Sequence, residues 1–437
     1  MGRLSREKQL VILFAAIIIP SLFNIDVMGI HFTLYRVAIP LITILCVAVK
    51  NGNLTFETGM EKQYFITFAV WIGYGTALML LRGGINAGAI KELLGLCFGT
   101  FSIYSMVHLI GNSKERFLYA VGVIKILVAV CILLGLFEII SGIHLNSSIY
   151  SNPEFMKSQL ERYGFVNINM ATGFQYNPND YASFLAFLAP LYLIPTGKKR
   201  RFLDWIMIGV IFLICAKNNA TLCILALGVG FLLFILFARI PLTGKRMLVI
   251  GGVAAVAAGF VLFRMSGDIG ESGYSLIFEL KNHLHTYQLK QGSSYVRIML
   301  YRDSLKALAD SRFLGLGPSS FSAYFTEHPS VSKLVDPHNY WLEILTQYGI
   351  FVFLFFVFLL LQLFRKAKAL YKREHCMEGL VLAVMFVDYI IIGLAPSSFI
   401  NYTFQWIVVA LTLALLRIYL PSEDKQSCPY AETIKHK

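Results

Sequence analysis

Long apolar runs alternate with polar segments along most of the chain. Because a bilayer core of roughly 30 Å requires about 20 apolar residues, each run is a candidate membrane helix. Twelve such runs cover residues 9–25, 32–49, 63–81, 92–110, 117–141, 180–196, 202–216, 219–238, 246–263, 343–364, 378–395 and 400–420. The pattern predicts an all-α, polytopic membrane protein with one membrane domain over 1–437.

Two polar segments are longer than the others, at 142–179 and 264–342. The second precedes the third-last predicted helix, and we expect it to fold as a small helical subdomain on the outer face. Within it, Ser294 to Asp310 predicts an amphipathic helix. The apolar residues at helical spacing are Val296, Met299, Leu300, Leu305 and Leu308.

Composition and charge agree with a membrane protein. Of 437 residues, 57% are hydrophobic and 14% are charged, and the mean hydropathy is +0.66. Lysines and arginines concentrate in the segments that are cytoplasmic if both termini are cytoplasmic, as the positive-inside rule requires. The net charge of +13 therefore follows from topology and contact with anionic lipid, and it needs no nucleic acid partner.

The candidate chemistry begins where the longer polar segment meets an apolar helix. His338 and Asn339 lie there, with Asp336 before them and Glu343 on the following turn. A histidine titrates near neutral pH, so one held by an acceptor can remove a proton from a sugar hydroxyl. The alternative is an interfacial histidine that belongs to the aromatic belt of the membrane.

Arginine side chains are the second group of candidate site residues, as ligands of a phosphate group. Arg297 and Arg302 lie on the predicted amphipathic helix, and Tyr301 shares the face of Arg297. Guanidinium groups can bind a pyrophosphate through paired hydrogen bonds. Alternatively, these arginines reach lipid phosphate or water. Arg36 and Arg162 are further candidate phosphate ligands.

Two short motifs have structural alternatives. In the run from Gly173 to Asp180, Asn179 is a candidate substrate contact, whereas Asn179 or Asp180 could instead cap the next helix. Gly315-x-Gly317 could form a phosphate nest or a helix exit. The outer loops contain no Asp-x-Asp, so we predict neither a metal site nor a cofactor.

Three patterns in this order resemble the bacterial O-antigen ligase/polymerase superfamily, most strongly over 170–365. They are Gly173-x-Phe-x-Asn177-Pro178-Asn179-Asp180-x-Ala182, Arg297 followed by Leu314-Gly315-x-Gly317-x-x-x-Phe321, and His338-Asn339-x-x-Leu342-Glu343-x-x-x-Gln347-x-Gly349-Ile350.

The resemblance implies a metal-independent, inverting glycosyltransferase of the GT-C type on the outer face of the bacterial plasma membrane. Its donor would be a glycan on undecaprenyl pyrophosphate. By this resemblance, His338 would activate or position the acceptor hydroxyl and Arg297 would bind the pyrophosphate. Tyr301 stands where many relatives have tryptophan, a departure that bears on the donor-stacking role of this position.

We predict a polymerase that joins lipid-linked repeat units of a surface polysaccharide, with a chain-length regulator as a candidate partner. A ligase that moves the glycan to another envelope acceptor is the alternative. A flippase or transporter is less favoured, because the spans carry few charges at mid-depth. Arg297 and His338 are 41 residues apart in the sequence. The transferase hypothesis requires both side chains to line one cavity at the outer face of the membrane.

Overall fold

The computed structural model describes residues 5–20, 24–27, 30–82, 85–163, 166, 168–197, 201–239, 292–328, 337–394, 400 and 402–420. Helices in the first half are α1 (Arg6–Ile18), α2 (Leu34–Ala48), α3 (Gly59–Leu81), α4 (Ala87–Ile110), α5 (Lys114–Ser141), α6 (Pro153–Tyr163) and α7 (Pro178–Leu188). The later ones are α8 (Arg201–Lys217), α9 (Thr221–Phe237), α10 (Gly292–Asp310), α11 (Phe321–Glu327), α12 (Tyr340–Glu374), α13 (Met377–Ile392) and α14 (Trp406–Tyr419).

The helical fold class is confirmed, with one small addition. An antiparallel hairpin of β1 (Asn24–Val27) and β2 (Ile30–Thr33) lies between α1 and α2. Among the described residues, four helices are long and apolar enough to cross a membrane, namely α3, α4, α5 and α12. Twelve spans remain a prediction, and the run 246–263 lies outside the described residues.

Two predicted spans are interrupted in the structure. The run 9–25 is not one helix, because α1 ends at Ile18 and the hairpin follows Pro20. The run 180–196 is also divided, since α7 ends at Leu188 and a tighter 3₁₀ turn, Ala189–Leu193, follows around Pro190. A proline lacks the amide hydrogen that the α-helix ladder needs, so both interruptions have the same cause.

Contacts between helix ends define two poles of the bundle. At one pole, the Lys114 ammonium donates to the Tyr419 hydroxyl at 3.0 Å and pairs with Glu378 at 3.8 Å. The backbone amide of Arg239 donates to the Tyr371 hydroxyl at 2.9 Å. These contacts join the start of α5 to the start of α13 and the end of α14, and Arg239, just after α9, to the last part of α12. We call this pole the basic end.

At the opposite pole, which we call the site end, the amide of Tyr340 donates to the Gly393 carbonyl at 2.8 Å. Asp180 and Tyr402 share a hydrogen bond, and the Asn218 side chain donates to the Ala171 carbonyl at 2.8 Å. The start of α7 and α12 and the end of α8 and α13 therefore lie at the same pole. The polar motifs around 171–180 and 338–343 belong to this one end.

Close aromatic packing holds the centre of the bundle. Trp71, Phe356 and Trp406 are fully buried, and the ring centroids of Trp71 and Phe356 are 4.9 Å apart. Helix α4 approaches this cluster through Gly99, where an added Cβ would lie 2.5 Å from the Trp406 ring nitrogen. Lipid is as apolar as these rings, so their close van der Waals contact, and not their transfer out of water, favours the packing of these helices.

The predicted amphipathic helix is confirmed as α10, but its buried face differs in part. Leu300 and Leu308 are buried as expected. Leu305 is 51% exposed, so its assignment to the buried face is wrong. Ser304 and Ala307 lie on that face instead, and small residues there allow α10 to pack closely against α12.

Candidate active site

Helix α12 is broken near its start, and the break organises the site end. Gly349 has φ 77° and ψ 177°, so the helix runs to residue 348 and resumes at 350. Three backbone hydrogen bonds from the segment after α10 replace those lost at the break. The amides of Leu316 and Gly317 donate to the carbonyls of Thr346 and Gln347 at 2.9 and 2.8 Å, and Ile350 donates to Phe313 at 3.0 Å.

Glycine is required on both sides of this contact. A Cβ on Gly315 would lie 2.5 Å from the Gly349 nitrogen, and a Cβ on Gly349 would lie 2.5 Å from the Leu314 carbonyl carbon. The two backbones therefore touch directly. The phosphate-nest interpretation of Gly315-x-Gly317 is wrong, because the amides of Leu316 and Gly317 are already used by α12. The helix-exit alternative is also wrong, since α10 ends earlier, at Asp310.

A buried carboxylate of α4 forms hydrogen bonds with both α12 and the segment after α10. Glu92 is 6% exposed and accepts hydrogen bonds from the Tyr348 hydroxyl at 2.6 Å and the Ser319 amide at 3.0 Å. We did not single out Glu92 from the sequence. The sequence could have indicated it, because an ionisable residue in an apolar span is costly and usually has a specific partner or function.

His338 immediately precedes the first part of α12. Its backbone has φ 48°, a left-handed conformation that few residues other than glycine adopt. Pro337 before it is buried, and Asn339 after it caps α12 by accepting from the amides of Trp341 and Leu342 at 3.0 and 3.2 Å. Pro337 and the Asn339 cap thereby fix the backbone that carries the imidazole, just before the first residue of α12.

Arg297 and His338 are electrostatic neighbours. Burial lowers the pKa of His338 below its usual 6.5, and the positive charge of Arg297 lowers this pKa further. Both side chains are half-buried. At neutral pH the imidazole is therefore uncharged and able to accept a proton. A guanidinium whose charge acts on a neutral imidazole could bind an anion while the imidazole deprotonates a hydroxyl.

The other candidates near this pair have different environments. Arg302 is largely exposed, and its guanidinium pairs with Asp303 at 3.1 Å. Tyr301 is half-buried one turn from Arg297. Glu343 is 4% exposed, and its amide donates to the Asn339 carbonyl at 2.9 Å. Asn339 has a structural role as helix cap, and its substrate contact stays a prediction.

The 171–180 segment is held by a second buried carboxylate that the sequence analysis missed. Glu138 accepts from the amides of Thr172 and Gly173 at 2.6 and 2.7 Å. The N-cap of α7 is Asn177, whose side chain accepts from the Asp180 amide at 2.9 Å. The prediction that Asn179 or Asp180 caps this helix is wrong.

Three other candidates are not brought into a described contact with His338. Asn179 is exposed in the first turn of α7. Arg36 is half-buried in the first turn of α2, where its amide donates to Thr33 at 3.3 Å. Arg162 lies in the last turn of α6, and its side chain is outside the described residues. Their roles as substrate ligands stay predictions.

Comparison with known proteins adds to this geometry. Residues 202–357 match the family described as O-antigen ligase. The teichuronic acid biosynthesis protein TuaE of Bacillus subtilis (strain 168) is 26% identical in an alignment of 376 residues that covers 82% of this chain and 72% of TuaE. The chain is therefore similar to the O-antigen ligase family over 202–357 and to TuaE over most of its length.

The O-antigen ligase match includes the features described above. It contains Arg297, His338 and the break at Gly349, and it ends inside α12. Both similarities point to a glycosyltransferase-type enzyme of polysaccharide biosynthesis, and the apolar helices indicate a membrane protein.

Proposed function

We propose that the protein lengthens a surface polysaccharide by joining repeat units carried on undecaprenyl pyrophosphate. The observation that carries this proposal is the electrostatic pair of Arg297 and His338 at the site end. The relative TuaE is named for the biosynthesis of teichuronic acid, and this supports a cell-envelope polymer as the product class.

His338 is the proposed base in this reaction. The neutral imidazole takes the proton of the acceptor hydroxyl as its oxygen attacks the anomeric carbon of the donor sugar. The new glycosidic bond forms as the bond from that carbon to the pyrophosphate oxygen breaks, with inversion. The electron pair and negative charge leave with the lipid pyrophosphate.

Arg297 is the proposed partner of that leaving group. A guanidinium fixed in a partly desolvated site stabilises the charge that develops on the departing oxygen. Binding of an anionic pyrophosphate also offsets the charge that lowers the pKa of His338. The imidazole then becomes a stronger base when the donor is in place.

Reconstitution tests this proposal. Purified protein in lipid nanodiscs is incubated with lipid-linked repeat units, and we expect longer glycans and free undecaprenyl pyrophosphate. His338→Ala should abolish both products. His328→Ala is the matched control, because His328 is an exposed histidine just after α11. Normal glycan length with His338→Ala would refute the assignment of the base.

Arg297→Lys provides a second test, because it keeps the charge and removes the forked geometry. Loss of one such contact costs about 2.7–4 kcal/mol of barrier, so we expect transfer to slow by about 10² to 10³. Initial rates at saturating donor measure the effect. Wild-type rates in Arg297→Lys would mean that Arg297 contributes only charge or reaches lipid.

Ligation is the second candidate function, and the description of the matched family favours it. Donor alone should yield longer lipid-linked chains if the protein is a polymerase. A ligase releases pyrophosphate only after a separate acceptor, such as wall teichoic acid or peptidoglycan, is added. The same reconstituted sample distinguishes the two.

A further inference from the structure

The segment that joins α10 to α11 reaches below the site end of α3. Helix α3 begins at the basic end, because Glu61 in its first turn pairs with Arg417 in the last turn of α14 at 3.3 Å. Its last residue, Leu81, is therefore at the site end. The Tyr74 hydroxyl donates to the Leu314 carbonyl at 2.8 Å. Tyr74 is seven residues before the end of α3, or about 10 Å along the helix axis.

Helix α4, which follows α3 after a short connection, gives a second measure of this depth. Glu92 accepts from the Ser319 amide at 3.0 Å. It is five residues after Ala87, the first residue of α4, or about 8 Å along the axis. Helices α3 and α4 have 23 and 24 residues and are about 35 and 36 Å long, little more than the apolar thickness of a bilayer. Both contacts therefore lie within the apolar layer.

The backbone of this segment is suited to apolar surroundings. Non-helical backbone at membrane depth is tolerated where its polar groups are bonded within the protein. The carbonyls of Phe313 and Leu314 accept from the Ile350 amide and the Tyr74 hydroxyl. The amides of Leu316 and Gly317 donate to carbonyls of α12. These groups consequently need no water.

Two large apolar side chains of the segment are exposed at this depth. Phe313 is 53% exposed and Leu314 is 42% exposed. Arg312 and Phe313 have left-handed backbones, with φ 55° and 64°, which few residues other than glycine adopt. The exposed apolar surface continues on α12 at Phe351 and Leu354, which are 59% and 55% exposed. The strained turn thus presents apolar side chains beside an exposed apolar face of a long membrane helix.

We propose that residues 311–319 form a re-entrant segment, whose Phe313 and Leu314 side chains contact the acyl chains of the leaflet at the site end. The depth of the segment identifies the partner, because exposed surface at this level of a membrane protein meets acyl chains and not water. Arg312 is exposed beside them and extends its guanidinium to the lipid phosphates. With the predicted orientation this leaflet is the outer one.

The re-entrant segment also sets the height of Arg297, a consequence whose significance rests on the proposed function. Helix α10 runs in the same direction as the start of α12. Arg297 and His338 are electrostatic neighbours, and farther along both helices the Thr346 hydroxyl donates to the Ser304 carbonyl at 3.4 Å. Arg297 is seven residues before Ser304, so it lies about 10 Å farther from the inserted segment along the axis. That is the direction of the lipid headgroups, where the pyrophosphate of a lipid-linked donor lies.

Spin labels on introduced cysteines test the proposal in lipid nanodiscs. Power saturation compares collisions with oxygen, which concentrates among acyl chains, and with a water-soluble nickel chelate. For Phe313→Cys and Leu314→Cys we expect oxygen collisions to exceed nickel collisions. The matched control is Ile298→Cys, an exposed apolar position on α10 that is 15 residues from Phe313, and the water reference is Glu327→Cys. Both should show the reverse order, with the parent chain as background.

Each other outcome contradicts the re-entrant segment. An excess of nickel collisions at residues 313 and 314 would place their side chains in water. Few collisions with either reagent would mean that protein covers them. If Phe313→Cys does not fold, Leu314→Cys provides the same measurement. The labels report depth without any substrate, so the result is independent of whether the transferase reaction proposed above takes place.

Discussion

His338 combines a left-handed backbone with a neighbouring arginine, and each constrains its chemistry. A non-glycine residue with φ 48° persists only where the surrounding structure holds it. Here Pro337 and the Asn339 cap provide that support. The charge of Arg297 adds to burial in keeping the imidazole neutral. The proposed base, His338, and the charge that lowers its pKa, on Arg297, therefore belong to different elements.

Replacement of Arg297 should be visible in the titration of His338. Arg297→Gln removes a positive charge that opposes protonation, so the pKa of His338 should rise while burial keeps it below 6.5. NMR titration of isotope-labelled histidine measures this pKa directly. A protonated imidazole cannot act as a base. As the pH is lowered, any residual activity of Arg297→Gln should therefore fall at a higher pH than the activity of the wild type.

Arg302→Gln is the control for that titration. Arg302 is paired with Asp303 and largely exposed, so its removal should leave the pKa of His338 unchanged. An equal rise in both variants would indicate a general effect of net charge. No rise in Arg297→Gln would show that the two side chains do not interact in solution.

At the scale of elements, the break in α12 explains why two glycine motifs far apart in the sequence occur together. Gly315 and Gly349 allow the segment after α10 to lie directly on the broken helix. Glu92 then joins both to α4 through Tyr348 and Ser319. This arrangement sets the position of α10, which carries Arg297, relative to the start of α12, which follows His338.

Gly349→Ala should destabilise the protein. A Cβ at this position would be 2.5 Å from the Leu314 carbonyl carbon, and the backbone conformation itself costs about 1–3 kcal/mol for other residues. We expect a lower Tm and loss of transfer activity, measured by thermal unfolding and the reconstituted assay. Gly122→Ala in α5 is the control, since nothing lies within 4 Å of its added Cβ, and its Tm should hold or rise slightly.

The Glu92–Tyr348 hydrogen bond should behave as a coupled pair. Glu92→Ala leaves the Tyr348 hydroxyl and the Ser319 amide without their acceptor, which costs about 1–3 kcal/mol for each buried group. Tyr348→Phe removes one of these donors. In a double-mutant cycle of unfolding free energies, the double variant should therefore be less destabilised than the sum of the single variants. Additive effects would show that this bond contributes nothing to stability.

At the scale of the whole molecule, buried charges are matched across helices that are distant in sequence. Arg417 of α14 is buried and pairs with Glu57 at 2.9 Å and with Glu61 of α3 at 3.3 Å. Lys125 and Asp204 form a similar pair 79 residues apart. Breaking a buried pair leaves an uncompensated charge, so these contacts specify which helices are neighbours.

The two poles predict which side chains are accessible from each side of the membrane. Glu327 is the last residue of α11, near the site end, and Lys372 lies in the last turn of α12, at the basic end; both are exposed. With a membrane-impermeant thiol reagent, Glu327→Cys should be labelled in intact cells. Lys372→Cys should be labelled only after permeabilisation, with the parent chain as background. The reverse pattern would invert the predicted orientation and place His338 in the cytoplasm.

The apolar runs predicted the all-helical fold class and the long apolar helices α3, α4, α5 and α12, because hydrophobicity adds up locally along a chain. They also located His338 at a helix start and the amphipathic helix that carries Arg297. The ends of α1 and α7 were missed, although Pro20 and Pro190 marked both. The membrane orientation inferred from charge placement stays a prediction.

The tertiary structure alone decided which buried polar groups meet. Nothing near Lys125 in the sequence indicates Asp204, and nothing near Tyr348 indicates Glu92, 256 residues away. The role of Gly315 likewise depends on Gly349 and not on its own neighbours. A buried hydrogen bond or ion pair is stable only when its partner is in place, and that partner is chosen by helix packing.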